Sequence, residues 1–332
     1  MKNTESTKES YRKNSVMLLA QYSCSSEKTF EPLEFCNWLA ATKFPLAAAT
    51  WRMYRASVLF YIEEHFLSAH SQCSEYLSKF SSHNKPKCTI RGKRKGYSEA
   101  EFSELLEYIR RGMHNPRTRG NGKAWWTNLY YTLRAGDLSG LRPSEWLNAR
   151  IEIIDGKHNL VVSNAKTTHD RAHGETRTIN ISELSLEDIS IIQSKIEATK
   201  DAIASGLCKD IDDYQSNTRR YLLLANNAVF PNADKTIAAY STRHQVVTEY
   251  KSTPGNTAEG LAAILGHRST ETAGKHYGRK RSGKGKLKPS KLQADPGDQK
   301  RVAAYNAHRD AGPRGPRQKP STPPPRPSGP SM

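Results

Sequence analysis

The sequence has few cysteines and no long apolar run, and these absences narrow the classes of protein it can encode. Its five cysteines are scattered along 332 residues without a C-x-x-C pair, so neither a disulfide framework nor a zinc ribbon is supported. No apolar run reaches the length of about 18 residues that a membrane span needs. The polar stretch from Met1 to Asn14 lacks the apolar core of a signal peptide. We therefore expect a soluble, cytoplasmic protein.

Motifs for nucleotides and metals are also missing. The phosphate-binding pattern G-x-x-x-x-G-K-[ST] does not occur, because Ser282-Gly283-Lys284 lacks the required spacing. His169 and His173 have an H-x3-H spacing, but they lie in a polar stretch with no third ligand nearby. We interpret them as solvated loop histidines. The sequence thus predicts that the protein works without a nucleotide, a metal or another cofactor.

Acidic residues are too few to balance the basic ones. Lysine and arginine total 51 against 33 aspartates and glutamates, which gives a formal net charge of +18 and a pI near 9.7. A surplus of this size repels itself unless it faces a polyanion. Nucleic acid is the first candidate partner and an anionic membrane surface the second.

The chain divides into segments of different composition. Residues 1–27 form an N-terminal arm, and residues 28–80 carry apolar residues at helical spacing, as at Phe35, Trp38 and Leu39. Residues 81–97 are a basic linker, and a second domain spans residues 98–278. Six cations make the linker suited to lie along a phosphate backbone, although a merely solvated linker fits as well; they are Lys85, Lys87, Arg91, Lys93, Arg94 and Lys95.

The second domain mixes helices with a small sheet. Ser98 and Glu101 form a capping box at the start of one helix, and another helix is predicted over residues 124–138. Apolar residues on both sides of the Asp155-Gly156 turn predict a β-hairpin, and residues 177–181 add a third strand. After Leu184 the pattern is helical as far as Tyr277.

The last segment, residues 279–332, has the composition of a disordered tail. It contains 14 lysines and arginines against three aspartates, and 10 of the 17 prolines of the chain. So little apolar surface cannot offset the entropy lost on ordering. We therefore predict a disordered basic tail and a folded part that ends near Tyr277.

Four short motifs in the second domain occur in a fixed order. Arg142 lies in Ser139-Gly140-Leu141-Arg142-Pro143, and Lys166 follows the predicted hairpin. Arg243 lies in Tyr240-Ser241-Thr242-Arg243-His244, His267 follows Leu265-Gly266, and Tyr277 comes ten residues later. Each motif alone is weak, but their order and separation make the joint signal strong, with about a hundred residues between the two arginines.

This set resembles the tyrosine recombinase (phage integrase) family over roughly residues 30–278. The resemblance implies a mainly α fold with a small antiparallel β-sheet, in which a helical core-binding domain and an α+β catalytic domain clamp double-stranded DNA. It implies a site-specific recombinase or integrase of a mobile element, with type IB topoisomerase-like chemistry and a homotetramer at synapsis. Tyr277 would be the nucleophile that forms a 3′-phosphotyrosine bond, and Lys166 would protonate the leaving 5′-oxygen.

The residue types suit this chemistry. Attack on a phosphodiester adds negative charge to the non-bridging oxygens, and a guanidinium donates two hydrogen bonds to one phosphate while it stays charged. The resemblance assigns this role to Arg142 and Arg243, with His267 as a third donor. Catalysis would then consist mainly of positioning and charge stabilisation.

The sequence departs from the family pattern at two places. Tyr240 stands where the family usually has histidine, and a phenol is a poorer proton shuttle near neutral pH. His267 and Tyr277 are ten residues apart, one more than usual, and His276 occupies the usual position. The alternative is a DNA-binding protein of the same fold with impaired catalysis, and a basic structural protein whose tail binds RNA or membranes is a more distant one.

Overall fold

The chain forms two compact units, residues 1–90 and residues 91–332. The computed structural model describes residues 4–24, 30–80, 92–165, 172–272 and 288–311. Within these ranges the first unit is helical and the second combines helices with small sheets, so the predicted mainly α fold with a small antiparallel sheet is confirmed. None of the helices in the described ranges has the length and apolar content that a bilayer crossing requires.

The first unit is built from helices α1 to α4, which span Glu5–Ser23, Pro32–Lys43, Ala48–His65 and Leu67–Ser78. Their apolar faces share one core, in which Phe35, Leu39 and Trp51 are fully buried. The indole nitrogen of Trp51 donates to the carbonyl of Phe80 at 2.9 Å, which satisfies the one polar atom of this buried ring. The helical character predicted for residues 28–80 is confirmed within the described residues 30–80.

The N-terminal segment is not a separate arm, and that interpretation is wrong for residues 5–23. Thr4 accepts the N–H of Thr7 and begins helix α1. Leu18 and Tyr22 lie one helical turn apart and are buried in the same core as Phe35. Arg12 of α1 also pairs with Glu64 of α3 at 2.8 Å. The apolar run from Val16 to Ala20 is continuous and has no helical spacing. It therefore does not indicate which residues pack, and in the structure Leu18 is buried whereas Val16 and Met17 are exposed.

The described residues of the second unit form α-helices and a short 3-10 helix, and residues 270–272 are helical as well. The helices are α5 (Glu99–His114), α6 (Gly122–Ser139), the 3-10 helix (Pro143–Asn148), α7 (Leu186–Ala204), α8 (Ile211–Val229), α9 (Ala239–Ser252), α10 (Ala258–Ile264) and α11 (Pro296–Ala311). Helix α5 begins with the predicted capping box of Ser98 and Glu101. Helix α6 begins two residues before the predicted residues 124–138 and ends one residue after them.

The main sheet has four strands, all paired antiparallel, in the order Arg150–Ile154, Lys157–Ser163, Thr176–Asn180 and Gln293–Ala294. The predicted hairpin is present as β2 (Arg150–Ile154) and β3 (Lys157–Ser163), and β4 covers Thr176–Asn180. The fourth strand, β6 (Gln293–Ala294), corrects the predicted count of three. A separate parallel pair joins β1 (Gly92–Lys93) to β5 (Lys235–Thr236), so the end of the predicted linker is part of the second unit.

The interpretation of residues 279–332 as a disordered tail is wrong for residues 288–311. Strand β6 extends the sheet, and α11 buries Val302 in the main core, where none of its side chain is exposed. Buried Asp298 accepts the backbone N–H of Thr178 at 2.9 Å. The segment is ordered by few residues: only Leu292, Ala294, Asp298 and Val302 are buried in it. Composition averaged over 54 residues could not reveal so sparse a set.

His173 also differs from its interpretation as a solvated loop residue. It is buried, its Nε2 lies 3.2 Å from the carbonyl of Ala263, and its Nδ1 lies 3.6 Å from Asp298. The imidazole therefore links α10 to α11. Burial lowers its pKa, although the neighbouring Asp298 carboxylate acts in the opposite direction.

Helix α11 also contacts the segment that follows His267. The guanidinium of Arg268 lies 4.2 Å from the centroid of the Tyr305 ring. Asn306 donates to the hydroxyl of Thr270 at 3.2 Å, and Arg309 lies 3.6 Å from Glu271. These side chains fix the direction in which the chain leaves α10.

We predict that Val302→Ala lowers the stability of the full chain by about 1–3 kcal/mol, because it removes buried apolar volume from the main core. Urea unfolding followed by circular dichroism measures the change. Lys300→Ala is the matched control, since Lys300 is exposed on the same helix. Equal stability of the two variants would contradict the docking of α11 on the core.

Candidate active site

The first motif of the sequence forms a sharp turn at the end of α6. Gly140 ends this helix with a φ of 66°, a left-handed conformation that favours glycine. Pro143 then begins the 3-10 helix, which turns Glu145 back towards Arg142. The backbone N–H of Arg142 donates to a Glu145 oxygen at 2.8 Å. Arginine and glutamate are thus placed face to face by local backbone geometry.

Glu145 is the common acceptor of a buried cluster of charges. Its carboxylate is fully buried and accepts Nη1 of Arg142 at 2.6 Å and Nη2 of Arg177 at 2.7 Å. Nη1 of Arg243 lies at 4.0 Å. Burial alone would raise the pKa of Glu145, but Arg177 and Arg243 together hold it well below its ordinary value of 4.5. The carboxylate therefore stays ionised over the whole physiological range.

Arg243 joins two of the sequence motifs through their backbones. It projects from α9, donates to the carbonyl of Gly140 at 2.6 Å and to the carbonyl of Leu265 at 2.8 Å, and is 0% exposed. These carbonyls belong to the Arg142 motif and to the Leu265-Gly266-His267 motif. One guanidinium thus holds together segments that are more than a hundred residues apart in the chain.

Steric constraints explain why position 266, in the Leu265-Gly266-His267 motif, is a glycine. Its φ is 67°, and a Cβ atom there would lie 2.2 Å from Oδ1 of Asn164. The same amide oxygen accepts a hydrogen bond from Arg177, which also donates to the carbonyl of Ile264 at 2.7 Å. Any side chain at position 266 would displace this network, which explains why a glycine precedes His267.

His267 lies against the arginines and is buried, with 4% of its surface exposed. Burial and the positive charges of Arg243, Arg142 and Arg177 lower its pKa from 6.5 to about 2, although Glu145 acts in the opposite direction. The imidazole is therefore neutral at physiological pH. A neutral imidazole offers one N–H donor and one acceptor nitrogen.

The structure brings some of the predicted site residues together. Arg142, Arg243 and His267 meet around Glu145. Tyr240 lies in the first turn of α9 with 37% of its surface exposed, and it lines the same cavity as Arg142. Lys166 and Tyr277 lie outside the described residues.

The structure describes only some of the predicted basic linker residues. Lys85, Lys87 and Arg91 lie outside the described residues, whereas Lys93 and Lys95 are exposed. Arg94 is only partly exposed because it forms an ion pair with Glu101, donates to the carbonyl of Lys235 and lies over the ring of Phe230. These contacts give Arg94 a structural role in holding β1 against the rest of the second unit, in addition to any contact with a ligand.

Sequence analysis missed Glu145 and Arg177 as members of the site. Glu145 follows Arg142 by three residues, a spacing that permits an ion pair. Arg177 occupies the inward phase of β4, where Ile179 is fully buried. A charged residue on the buried phase of a strand is a usable signal, since such a residue needs a buried partner.

Nothing in the described residues resembles a metal centre, because no group of three or more His, Cys, Asp or Glu side chains is suitably placed. The four charged members of the cluster, three arginines and one glutamate, have a formal charge of +2. With neutral His267 beside them, they form an electropositive environment suited to an anion.

No protein-family model matches the chain, and no curated protein matches it either. It is similar to a crystal structure of the XerH site-specific recombinase bound to palindromic difH substrate in a post-cleavage complex. That similarity has 15% identity, covers 80% of this chain and 74% of that chain, and has a TM-score of 0.42.

It is also similar to a crystal structure of a lambda integrase tetramer bound to a Holliday junction. The identity is 15%, the similarity covers 87% of this chain and 85% of that chain, and the TM-score is 0.40. Both comparisons combine low identity with a low TM-score. A functional assignment must therefore depend on the residues of the site.

The lowered pKa of His267 predicts a pH dependence of stability. Because the folded-state pKa lies below the ordinary 6.5, its contribution is complete above pH 6.5 and is lost as the pH falls towards 2. Between pH 6.5 and 5 we expect the wild type to lose about 1 kcal/mol per pH unit relative to His267→Gln. Urea unfolding at several pH values measures the slope. His308→Gln, at an exposed histidine of α11, should follow the wild type, and identical slopes for His267→Gln would contradict the assignment.

Proposed function

We propose that this protein is a tyrosine recombinase that cleaves and rejoins DNA strands at specific sites. The observation that supports this most strongly is the convergence of Arg142, Arg243 and His267 around one buried carboxylate. These residues come from three separate motifs of the predicted set. An arrangement of guanidiniums with an excess of positive charge suits the phosphoryl-transfer transition state, whose added charge lies on the non-bridging oxygens.

The two arginines have different roles in this proposal. Arg142 lines a cavity, so it is the guanidinium that reaches a non-bridging oxygen. Arg243 is inaccessible to solvent, and it acts by positioning the Gly140 and Leu265 segments and by adding positive charge beneath the phosphate. This differs from the expectation that both arginines hold the phosphate oxygens directly.

The strand-cleavage step uses residues on both sides of the phosphate. The phenol oxygen of Tyr277 attacks phosphorus and loses its proton to water, while the bond to the 5′-oxygen breaks. Lys166 gives a proton to that leaving oxygen, and a 3′-phosphotyrosine bond remains. Because this bond conserves the phosphodiester energy, attack by a 5′-hydroxyl reverses the step without a nucleotide cofactor.

DNA binding follows from charge as well as from the site. The net charge of +18 and the exposed Lys93 and Lys95, together with Lys85, Lys87 and Arg91, suit a duplex phosphate backbone. We further propose that two DNA sites are held in a synaptic homotetramer, and that the protein acts in the cytoplasm on a mobile element. The N-terminal helical unit serves as the core-binding domain.

A DNA-binding protein of the same fold with impaired catalysis is the second candidate. Tyr240 favours it, because tyrosine replaces the family's usual histidine at an exposed position beside Arg142. Cleavage assays on a DNA site distinguish the two candidates, since only a recombinase forms a covalent adduct.

We predict that Tyr277→Phe still binds duplex DNA but forms no covalent adduct with a suicide substrate, because the attacking oxygen is absent. Denaturing electrophoresis detects the adduct, and peptide mapping identifies the attached residue. Tyr305→Phe is the control, since it keeps the ring over which Arg268 lies. An adduct on another tyrosine would refute the role of Tyr277, and a wild type without any adduct would favour the impaired protein.

We predict that Tyr240 donates a hydrogen bond to the phosphate and is not an essential base. Tyr240→Phe should slow cleavage about ten- to a hundredfold, which corresponds to about 1–3 kcal/mol for one donor. Arg142→Ala should slow it considerably more, since a charged donor is lost. Single-turnover cleavage of one substrate compares the two, and Tyr240→His should be at least as fast as the wild type. Equal losses in Tyr240→Phe and Arg142→Ala would make the tyrosine a proton-transfer group.

A further inference from the structure

A cavity of about 520 Å³ lies beside Arg142 in the second unit. Its walls come from α6, α7, α8, the 3-10 helix and the start of α9, and they include the aromatic rings of Trp146 and Tyr214. This volume is within the range of about 300–1,000 Å³ that is usual for small-molecule sites. Among the residues that the structure describes, no acidic one lines it, whereas four basic ones do, namely Lys93, Arg142, Lys195 and Arg219.

Lys195 is the unusual member of this lining. It projects from α7 with 1% of its surface exposed, and its ammonium donates to the hydroxyl of Tyr214 at 2.7 Å. The same nitrogen lies 4.3 Å from the centroid of the Tyr214 ring and 5.8 Å from that of Trp146. Among the described residues no carboxylate lies within ion-pairing distance of it, so its hydrogen-bond partner is a neutral phenol.

A buried ammonium without a counter-ion is costly in free energy. Burial lowers the pKa of Lys195, while Tyr214 acts in the opposite direction. The buried arginines nearby are compensated by Glu145, but no acidic residue in the described part of the cavity wall compensates this lysine. Buried charges in proteins are normally paired, and an anion that enters the cavity would supply the missing partner.

Thr218 gives an independent observation on the same wall. It is 4% exposed, and its buried hydroxyl oxygen has no hydrogen-bond partner among the described residues. Buried hydroxyls are normally satisfied, and an exception calls for an explanation. Thr218 and Lys195 both line the cavity, so one bound group could satisfy both.

We propose that this cavity binds a small organic anion, whose charged group is held by Lys195 and Thr218. The anionic group is a carboxylate, a sulfonate or a phosphate monoester, and an apolar body packs against the aromatic and aliphatic walls. A small molecule fits better than the backbone of DNA, because Lys195 is almost entirely inaccessible from the surface. This proposal does not depend on the proposed recombinase function.

Fluorescence titration of the full chain with 8-anilinonaphthalene-1-sulfonate tests the proposal without DNA. This probe joins an aromatic body to a sulfonate, and N-phenyl-1-naphthylamine is its neutral counterpart. We expect one saturable sulfonate site whose affinity falls at least tenfold in Lys195→Met. Binding of the neutral probe should stay within about threefold, since the methionine preserves the apolar wall. Lys200→Met, at an exposed lysine of the same helix, should bind both probes like the wild type.

Thr218→Val provides a second variant that keeps the shape of the side chain and removes its hydroxyl. We expect it to weaken binding of the sulfonate about three- to tenfold and to leave the neutral probe unaffected. Circular dichroism shows whether Lys195→Met folds. If it does not, Thr218→Val alone tests the proposal.

Three outcomes would overturn the proposal. The first is equal sulfonate affinity in the wild type, Lys195→Met and Thr218→Val. The second is an equal loss for the sulfonate and the neutral probe, which would indicate altered packing in place of lost charge recognition. The third is DNA binding that weakens in Lys195→Met as much as sulfonate binding does, which would assign the lysine to a DNA phosphate.

Discussion

The internal arrangement of the second unit depends on the ion pairs that the buried carboxylate of Glu145 forms with arginines. Arg142 and Arg177 donate to it directly, and Arg243 lies at the limit of ion-pairing distance. Removing one partner of a buried ion pair leaves an uncompensated charge, which typically costs about 3–5 kcal/mol. The 3-10 helix, strand β4 and helix α9 are therefore held in one relative position by a single side chain.

Backbone carbonyls also accept hydrogen bonds from two of these arginines. Arg243 donates to Gly140 and Leu265, and Arg177 donates to Ile264. The first carbonyl belongs to Gly140, and the other two lie within two residues of Gly266. Both glycines have a positive φ, and a side chain at these positions would meet Val246 or Asn164. The glycines of the motifs thus allow the close approach that the arginines need. Donors fixed in this way need no reorganisation when an anion arrives, which is the basis of electrostatic preorganisation.

Features with a strong local signal were predictable from the sequence. The capping box of Ser98 and the Asp155-Gly156 hairpin depend on neighbouring residues, and both are present. Helix α11 was not predictable, because one buried valine and one buried aspartate anchor it in a basic, proline-rich segment. The structural role of Arg177 could not be predicted either, since its partners lie 32 residues before it and 87 residues after it in the chain. Order among such residues comes from tertiary contacts, which composition does not record.

The buried cations of the second unit lie in two different environments. The arginines around Glu145 have an internal counter-ion, whereas Lys195 contacts only the phenol of Tyr214 and the ring of Trp146 among the described aromatic residues. Arg142 belongs to both environments, because it pairs with Glu145 and also lines the cavity that contains Lys195. An anion in the cavity and a phosphate at the candidate active site would therefore interact with the same guanidinium. Ligands that compete for one group are coupled reciprocally, each weakening the other by the same factor. If both proposals hold, DNA binding should lower the affinity of the cavity for an anion as much as the anion lowers the affinity for DNA.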